Sequence, residues 1–114
     1  MYLVVENTVM PRGRYLAEFE LYLLAAIARL GPDAYGMIIR REIEECAGRA
    51  VAIGAVYATL DRLSRKGYVS FRISSPRPVP GGRARKHVLL TPAGRTALTN
   101  STAMLRRILP ELAK

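Results

Sequence analysis

The sequence contains no tryptophan, one cysteine and one histidine, and aromatic residues make up only 7% of its 114 positions. The lone Cys46 cannot form an intramolecular disulfide, in keeping with a reducing compartment, and one thiol with one histidine falls short of the ligand count of a structural metal site. No metal and no cofactor is expected. Long apolar runs are missing too: none approaches the roughly 20 residues that span a bilayer, so a soluble chain without a membrane partner is expected. The start Met1-Tyr2-Leu3-Val4-Val5-Glu6 lacks the basic region and apolar stretch that export requires, which predicts a cytoplasmic location. Acidic residues are absent between Asp61 and Glu111. That stretch therefore offers no pair of carboxylates, and its single histidine has no nucleophile beside it in sequence, so an enzyme is not expected.

What the chain has instead is positive charge. Its net charge is +9 and its sequence pI about 10.4, the footprint of a polyanionic partner. The charge is unevenly placed. Up to Asp61 the two signs nearly balance, whereas the following stretch carries Arg62, Arg65, Lys66, Arg72, Arg77, Arg83, Arg85, Lys86, Arg95, Arg106 and Arg107 with nothing to offset them. Such a run can be an ordinary solvated face, but a face without interspersed opposite charge repels itself, which favours a binding role.

Residues 1–14 show no clear period and read as a flexible arm. From Tyr15 to Leu30, apolar residues at Leu16, Phe19, Leu23, Ile27 and Leu30 keep helical spacing, and Gly31-Pro32 stops the helix. This first helix also carries Leu21, Leu24, Ala25 and Ala28, so it is expected to be buried on two sides. Asp33 is a candidate N-cap for a second helix over 34–47, with Ile39, Ile43 and Cys46 or Ala47 inward, and Gly48 ending it. A third helix spans 53–66 on the stripe Ile53, Val56, Leu60 and Leu63, and Gly67 closes it. Period two then takes over, with Val69, Phe71 and Ile73 on one face of a strand. Residues 75–84, with three prolines and two glycines, form a hairpin tip, and 85–90 return as a second strand. Thr91-Pro92 supplies a hydroxyl cap and an N1 proline for a last helix reaching about Leu109.

Three helices, a two-stranded hairpin with a basic tip and a final helix make a mainly α fold with a small β-hairpin, the element order of a winged helix-turn-helix. The expected organisation is the arm at 1–14, a winged-helix DNA-binding domain at 15–90 and a C-terminal dimerisation helix at 91–114. A helix that enters the major groove, about 12 Å wide, needs short or basic side chains toward the bases. Opposite the apolar stripe of the third helix lie Gly54, Ala55, Ala58, Thr59, Arg62 and Lys66, and Gly54 near its start leaves backbone N–H groups open to a phosphate. Arg77, Arg83, Arg85 and Lys86 flank the hairpin tip, within reach of the minor groove or its phosphates.

Tyr57 reads equally well as a ring packed on the core with a wet hydroxyl and as a phosphate ligand. His87 reads as a strand residue without a catalytic role, and Cys46 as a small core residue. The last helix carries an apolar stripe through Leu98, Met104, Leu105, Ile108 and Leu109, which together with Leu21 and Leu24 of the first helix is the candidate homodimer surface. The competing reading is a winged-helix adaptor that docks on protein without specific DNA binding. A groove face of acidic or large apolar residues would favour it, and the residues there are small and basic.

Three runs carry a resemblance to a known family: Tyr35-Gly36-Met37-Ile38-Ile39-Arg40-Arg41-Glu42-Ile43, then Gly54-Ala55-Val56-Tyr57-Ala58-Thr59-Leu60-Asp61-Arg62-Leu63 followed by Lys66-Gly67-Tyr68-Val69, and finally Gly82-Arg83-Ala84-Arg85-Lys86 with Leu90-Thr91-Pro92-Ala93-Gly94-Arg95. From about Leu16 to Leu98 the chain resembles the short PadR-like transcriptional regulators. The resemblance implies a homodimer joined chiefly through the last helix, which binds an inverted repeat in double-stranded DNA near a promoter and represses it. In many relatives a small-molecule effector or stress signal relieves that repression. Tyr57 and Arg62 match the family's third-helix signature, and Gly82, Arg83, Arg85 and Lys86 its wing. Family members usually carry aromatic residues where this chain has His87-Val88, and the last-helix tryptophan through which some hold planar drugs is absent.

Overall fold

The computed structural model describes residues 3–5, 8–10, 16–74 and 85–113, and a helical core built from the first three helices organises them. Two short strands, β1 (Leu3–Val5) and β2 (Thr8–Met10), pair antiparallel where the sequence predicts only an aperiodic arm. Helix α1 (Glu18–Leu30) follows, then a 3₁₀ turn at Gly31–Asp33, helix α2 (Gly36–Ala47) and helix α3 (Ile53–Arg65). Strands β3 (Val69–Ile73) and β4 (Lys86–Leu90) form the antiparallel wing, with Phe71 opposite Val88 and Val69 opposite Leu90. Helix α4 (Pro92–Ile108) completes the order, with a 3₁₀ turn at Pro110–Ala113 after it.

Helical spacing of apolar residues decides which faces meet. Leu23, Leu24 and Ile27 of α1, Ile39 and Ile43 of α2, and Val56, Leu60 and Leu63 of α3 are all buried in one cluster, sealed at the wing by Val69 and Val88. Burying a side chain of this size contributes about 1.5–3 kcal/mol, so these few residues dominate the stability of so small a body.

Several expectations need correction. Asp33 does not cap α2: it lies in the 3₁₀ turn, and Tyr35 occupies the N-cap position without a side-chain cap bond. Cys46 and Ala47 are exposed, because they line an open pocket between α2 and the Tyr22, Ala25 and Ala26 face of α1 and do not reach the core. Ile73, on the inward face of its strand by period, is exposed because the hairpin outruns the core. Leu24 is fully buried in the chain's own core and so is no part of a dimer surface, and Leu98 packs against the same core.

The start of α4 is built into the domain. Thr91 caps the helix by accepting the Gly94 N–H at 3.0 Å, and its own hydroxyl donates to the Gly67 carbonyl at 2.6 Å. Gly94 rests on the Tyr68 carbonyl so closely that any β-carbon there would collide with it. Gly67 itself has φ of 79°, the left-handed value that favours glycine at a helix end.

One buried charge crosses the helical layer. Glu20, in the first turn of α1, is only 2% exposed. Its Oε1 accepts the Ala17 N–H at 2.8 Å and the Lys66 ammonium at 2.9 Å, from the far end of α3. Burial pushes the Glu20 carboxyl up, but the Lys66 and Ala17 hydrogen bonds and the positive charges of Lys66 and Arg62 outweigh it and hold the group below its ordinary value of 4.5. A carboxyl with a depressed folded-state pKa stabilises the fold fully above its ordinary pKa, and loses that contribution as pH falls through the lowered value. Melting temperatures measured from pH 6 downward are therefore expected to fall more steeply below pH 4.5 for the wild type than for Glu20→Gln; parallel curves would show that the pair carries no linkage.

Candidate nucleic-acid interface

The outward face of α3 is small toward its N-terminus and charged toward its C-terminus. Gly54, Ala55, Ala58 and Arg62 are all exposed, and a β-carbon added at Gly54 would meet nothing within 4 Å. No side chain caps the start of α3 and no acidic residue stands in its first turn, which leaves the positive end of the helix dipole uncompensated. The expected exposure is found at these four positions and at Lys66, but not at Thr59. Thr59 is 1% exposed, since it follows Val56 by three residues and precedes Leu63 by four and so lies on the buried stripe. Its hydroxyl accepts from Arg62 Nη2 at 3.0 Å and orients that guanidinium from behind. Lys66 is engaged with Glu20. Arg65, beside it, pairs with Asp61 at 2.6 Å.

Tyr57 lies at the edge of this face and is 52% exposed. Its ring folds over the start of α2, where a β-carbon at Gly36 would come within 2.6 Å of it. Glycine at 36 leaves room for the end of the Tyr57 ring against the start of α2. The turn between them is tied by Glu44, whose Oε2 accepts the Val51 N–H at 2.9 Å.

The wing root joins the same surface through a connection that the sequence does not display. Tyr35 makes a single antiparallel bridge to His87, and the Val88 N–H donates to the Ala34 carbonyl at 2.9 Å, so the segment leading into α2 lies alongside β4. Here the Arg85 guanidinium sits 4.8 Å above the Tyr35 ring, and the Lys86 ammonium 4.1 Å above Phe71. His87 meets Tyr35 edge to face at 6.1 Å, and its buried Nδ1 has no hydrogen-bond partner among the described residues. A cleft of about 490 Å³ opens between α2, α3 and the wing, lined by Tyr35, Met37, Tyr57, Phe71, Arg85 and Lys86.

Of the residues expected on the interface, Gly54, Ala55, Tyr57, Ala58, Arg62, Lys66, Arg85 and Lys86 are thus exposed on or at the end of α3 or at the wing root, with Tyr57, Arg85 and Lys86 sharing the cleft. Arg77 and Arg83 lie outside the described residues. Tyr35 and Gly36 were visible only as part of a family signature, and nothing in their spacing announced a cation-bearing ring or a close helix approach. Among the described residues no group of three or more His, Cys, Asp or Glu side chains could hold a metal ion, and no helix is long and apolar enough to cross a membrane.

A helix-turn-helix whose third helix presents a small, basic face next to a hairpin with cations at its root defines the winged-helix class of regulators. Comparison with known proteins narrows this. Residues 23–100 match the model of the transcriptional regulator PadR-like family, and the chain belongs to that family, whose members are regulators and not enzymes. It is 38% identical over 82 residues to the transcriptional regulator Rv3488 of Mycobacterium tuberculosis, covering 72% of this chain and 68% of the relative. Its fold is similar to a PadR family transcription regulator from Clostridium difficile, with a TM-score of 0.69 and 22% identity over 85% of this chain and 96% of that one. It is also similar to FabT of Streptococcus pneumoniae, solved in complex with DNA, with a TM-score of 0.65 and 21% identity over 90% of this chain and 64% of FabT.

The two glycines should respond in opposite ways to alanine. Gly36→Ala displaces the end of the exposed Tyr57 ring and is expected to destabilise by up to about 1 kcal/mol, whereas Gly54→Ala enters open space in a helix and should stabilise by about 0.4–1 kcal/mol. Urea unfolding of both variants checks this, and equal effects would mean that the Gly36–Tyr57 approach is slack.

Proposed function

We propose that this chain is a transcriptional repressor that binds an inverted repeat in double-stranded DNA as a homodimer, with α3 in the major groove and the wing on the flanking backbone. The observation that carries the reading is the exposed Gly54, Ala55, Ala58 and Arg62 face, next to a cleft that Arg85 and Lys86 line on its wing side. Small side chains let the helix backbone approach base edges, and an alanine methyl can contact the thymine methyl. Arg62 extends to base or phosphate. The Tyr57 hydroxyl, Arg85 and Lys86 bind the phosphate backbone, which fixes register without reading sequence. FabT, similar in fold, was solved in complex with DNA, which supports the DNA-binding reading. A regulator of this kind acts in the cytoplasm, where a small-molecule effector or stress signal would relieve repression.

The homodimer is assigned to the outer end of α4. Its first turns pack on the chain's own domain, but Leu105, Ile108 and Leu109 are exposed, Ile108 to 65%, and a partner copy would cover them. Leu21 and Met104, both half-buried, are further candidates for that surface. Sedimentation of Leu105→Asp/Ile108→Asp at micromolar concentration is expected to give a folded monomer where the wild type gives a dimer; an unchanged dimer would move the interface elsewhere.

Selection of bound sequences from a random duplex library at about 150 mM salt tests the DNA reading, since weak non-specific binding is suppressed there. An inverted repeat with half-site centres about one helical turn apart is expected. Recovery of no motif would leave the protein-docking adaptor as the better account. On the selected duplex, Arg85→Ala and Lys86→Ala are each expected to weaken binding of all sequences alike and to flatten the salt dependence by about one charge, whereas a larger residue at Ala58 should change the preferred sequence. A wing substitution that altered neither affinity nor salt slope would remove the wing from the interface.

A further inference from the structure

Lys66 ends the helix assigned to the major groove and lies in the chain's most basic stretch, where a free ammonium would be expected to reach for a phosphate. It does not project freely. Its Nζ hydrogen-bonds to Glu20 Oε1 at 2.9 Å and lies 2.9 Å from Oε2, a charge contact without a second aligned hydrogen bond. Glu20 is buried, 46 residues away in sequence, and anchored independently by the Ala17 N–H. A charge pair of this kind is costly to desolvate and contributes little net stability compared with an apolar pair of the same shape. What it can supply is a defined relative position of two helices, because moving α3 along or about its axis would separate a buried carboxylate from the cation that neutralises it.

We infer that Glu20 is a positioning residue for DNA reading: it holds Lys66 back from the phosphates and so fixes how α3 presents Gly54, Ala55, Ala58 and Arg62 to the bases. This rests on the DNA-binding reading and specifies what the helix end does within it. The neighbouring cations fit the same division of labour. Arg65 is paired with Asp61, and Arg62 is oriented by Thr59 at one end while contributing positive charge near Glu20. Of the three cations at the end of α3, Lys66 is the one whose ammonium is held on a buried carboxylate, although the rest of its side chain stays at the surface.

The consequence is a reversal of the usual effect of removing a lysine from a DNA-binding helix. Each phosphate contact adds about 0.9 to the slope of log affinity against log salt. Lys66→Met is therefore expected to leave that slope unchanged on a mixed-sequence duplex, while lowering discrimination between the selected duplex and the mixed one. Glu20→Gln keeps an acceptor for the Ala17 N–H but releases the ammonium, and should steepen the slope by about 0.9 with the same loss of discrimination. The double variant Glu20→Gln/Lys66→Met should return the slope to the wild-type value.

The inference is overturned if Lys66→Met flattens the slope by about one contact, since Lys66 would then already be on a phosphate. It is equally overturned if Glu20→Gln changes neither slope nor discrimination. Should Lys66→Met fail to fold because it leaves the Glu20 carboxylate without its cation, comparison of Glu20→Gln with the double variant still decides whether the released lysine adds a contact. Wild-type protein that binds no duplex removes the DNA-binding reading and this inference together, whereas wild-type binding with indifferent variants removes this inference alone.

Discussion

A single backbone hydrogen bond, from the Val88 N–H to the Ala34 carbonyl, sets the relation between the two halves of the binding surface. An isolated two-stranded hairpin is marginal in water, and this bond supplements the packing of Val69 and Val88 in the core. With it, the segment before α2 becomes a partial third strand, and the start of α2, the ring of Tyr35 and the base of the wing move as one piece. Everything on the cleft follows from this alignment. Tyr35 receives Arg85, Gly36 receives the Tyr57 ring, and α3 is brought level with β4.

The interior obeys the simplest pattern rules and the surface obeys them less. Helix positions, the hairpin, its register-defining alternation at Val69 and Phe71, and the Thr91 cap with its N1 proline were all legible, because each depends on local spacing or on one residue's backbone chemistry. Thr59 was misplaced although its spacing from Val56 and Leu63 puts it on the buried stripe; its polar character outweighed a periodicity that was available. The fate of Cys46 was not available in the same way. Whether a residue in the last turn of a helix is covered depends on how closely the neighbouring helix approaches it, and that is a property of crossing geometry.

The pairing of Glu20 with Lys66 belongs to the same class of long-range facts. A glutamate in the first turn of a helix is ordinarily accounted for by the helix dipole or by a capping contact, and Glu20 does make one to Ala17. Nothing local marks it as buried. Likewise a lysine at a helix C-terminus is favourable with no partner at all. Each residue has a sufficient local explanation, so the sequence gives no reason to connect them, and only the packing of α1 across α3 does.

The rings beneath Arg85 and Lys86 bear on the thermodynamics of association. Long cationic side chains ordinarily lose rotamer freedom when they engage a polyanion, at about 0.5–1.5 kcal/mol for each one immobilised. Here Tyr35 and Phe71 already restrict both side chains in the free protein, so that ordering entropy is lost during folding and little of it remains to be lost on docking. The wing root thus acts as a preorganised pair of charges, whose contribution to affinity should appear with a smaller entropic penalty than the same two cations would incur on a bare loop.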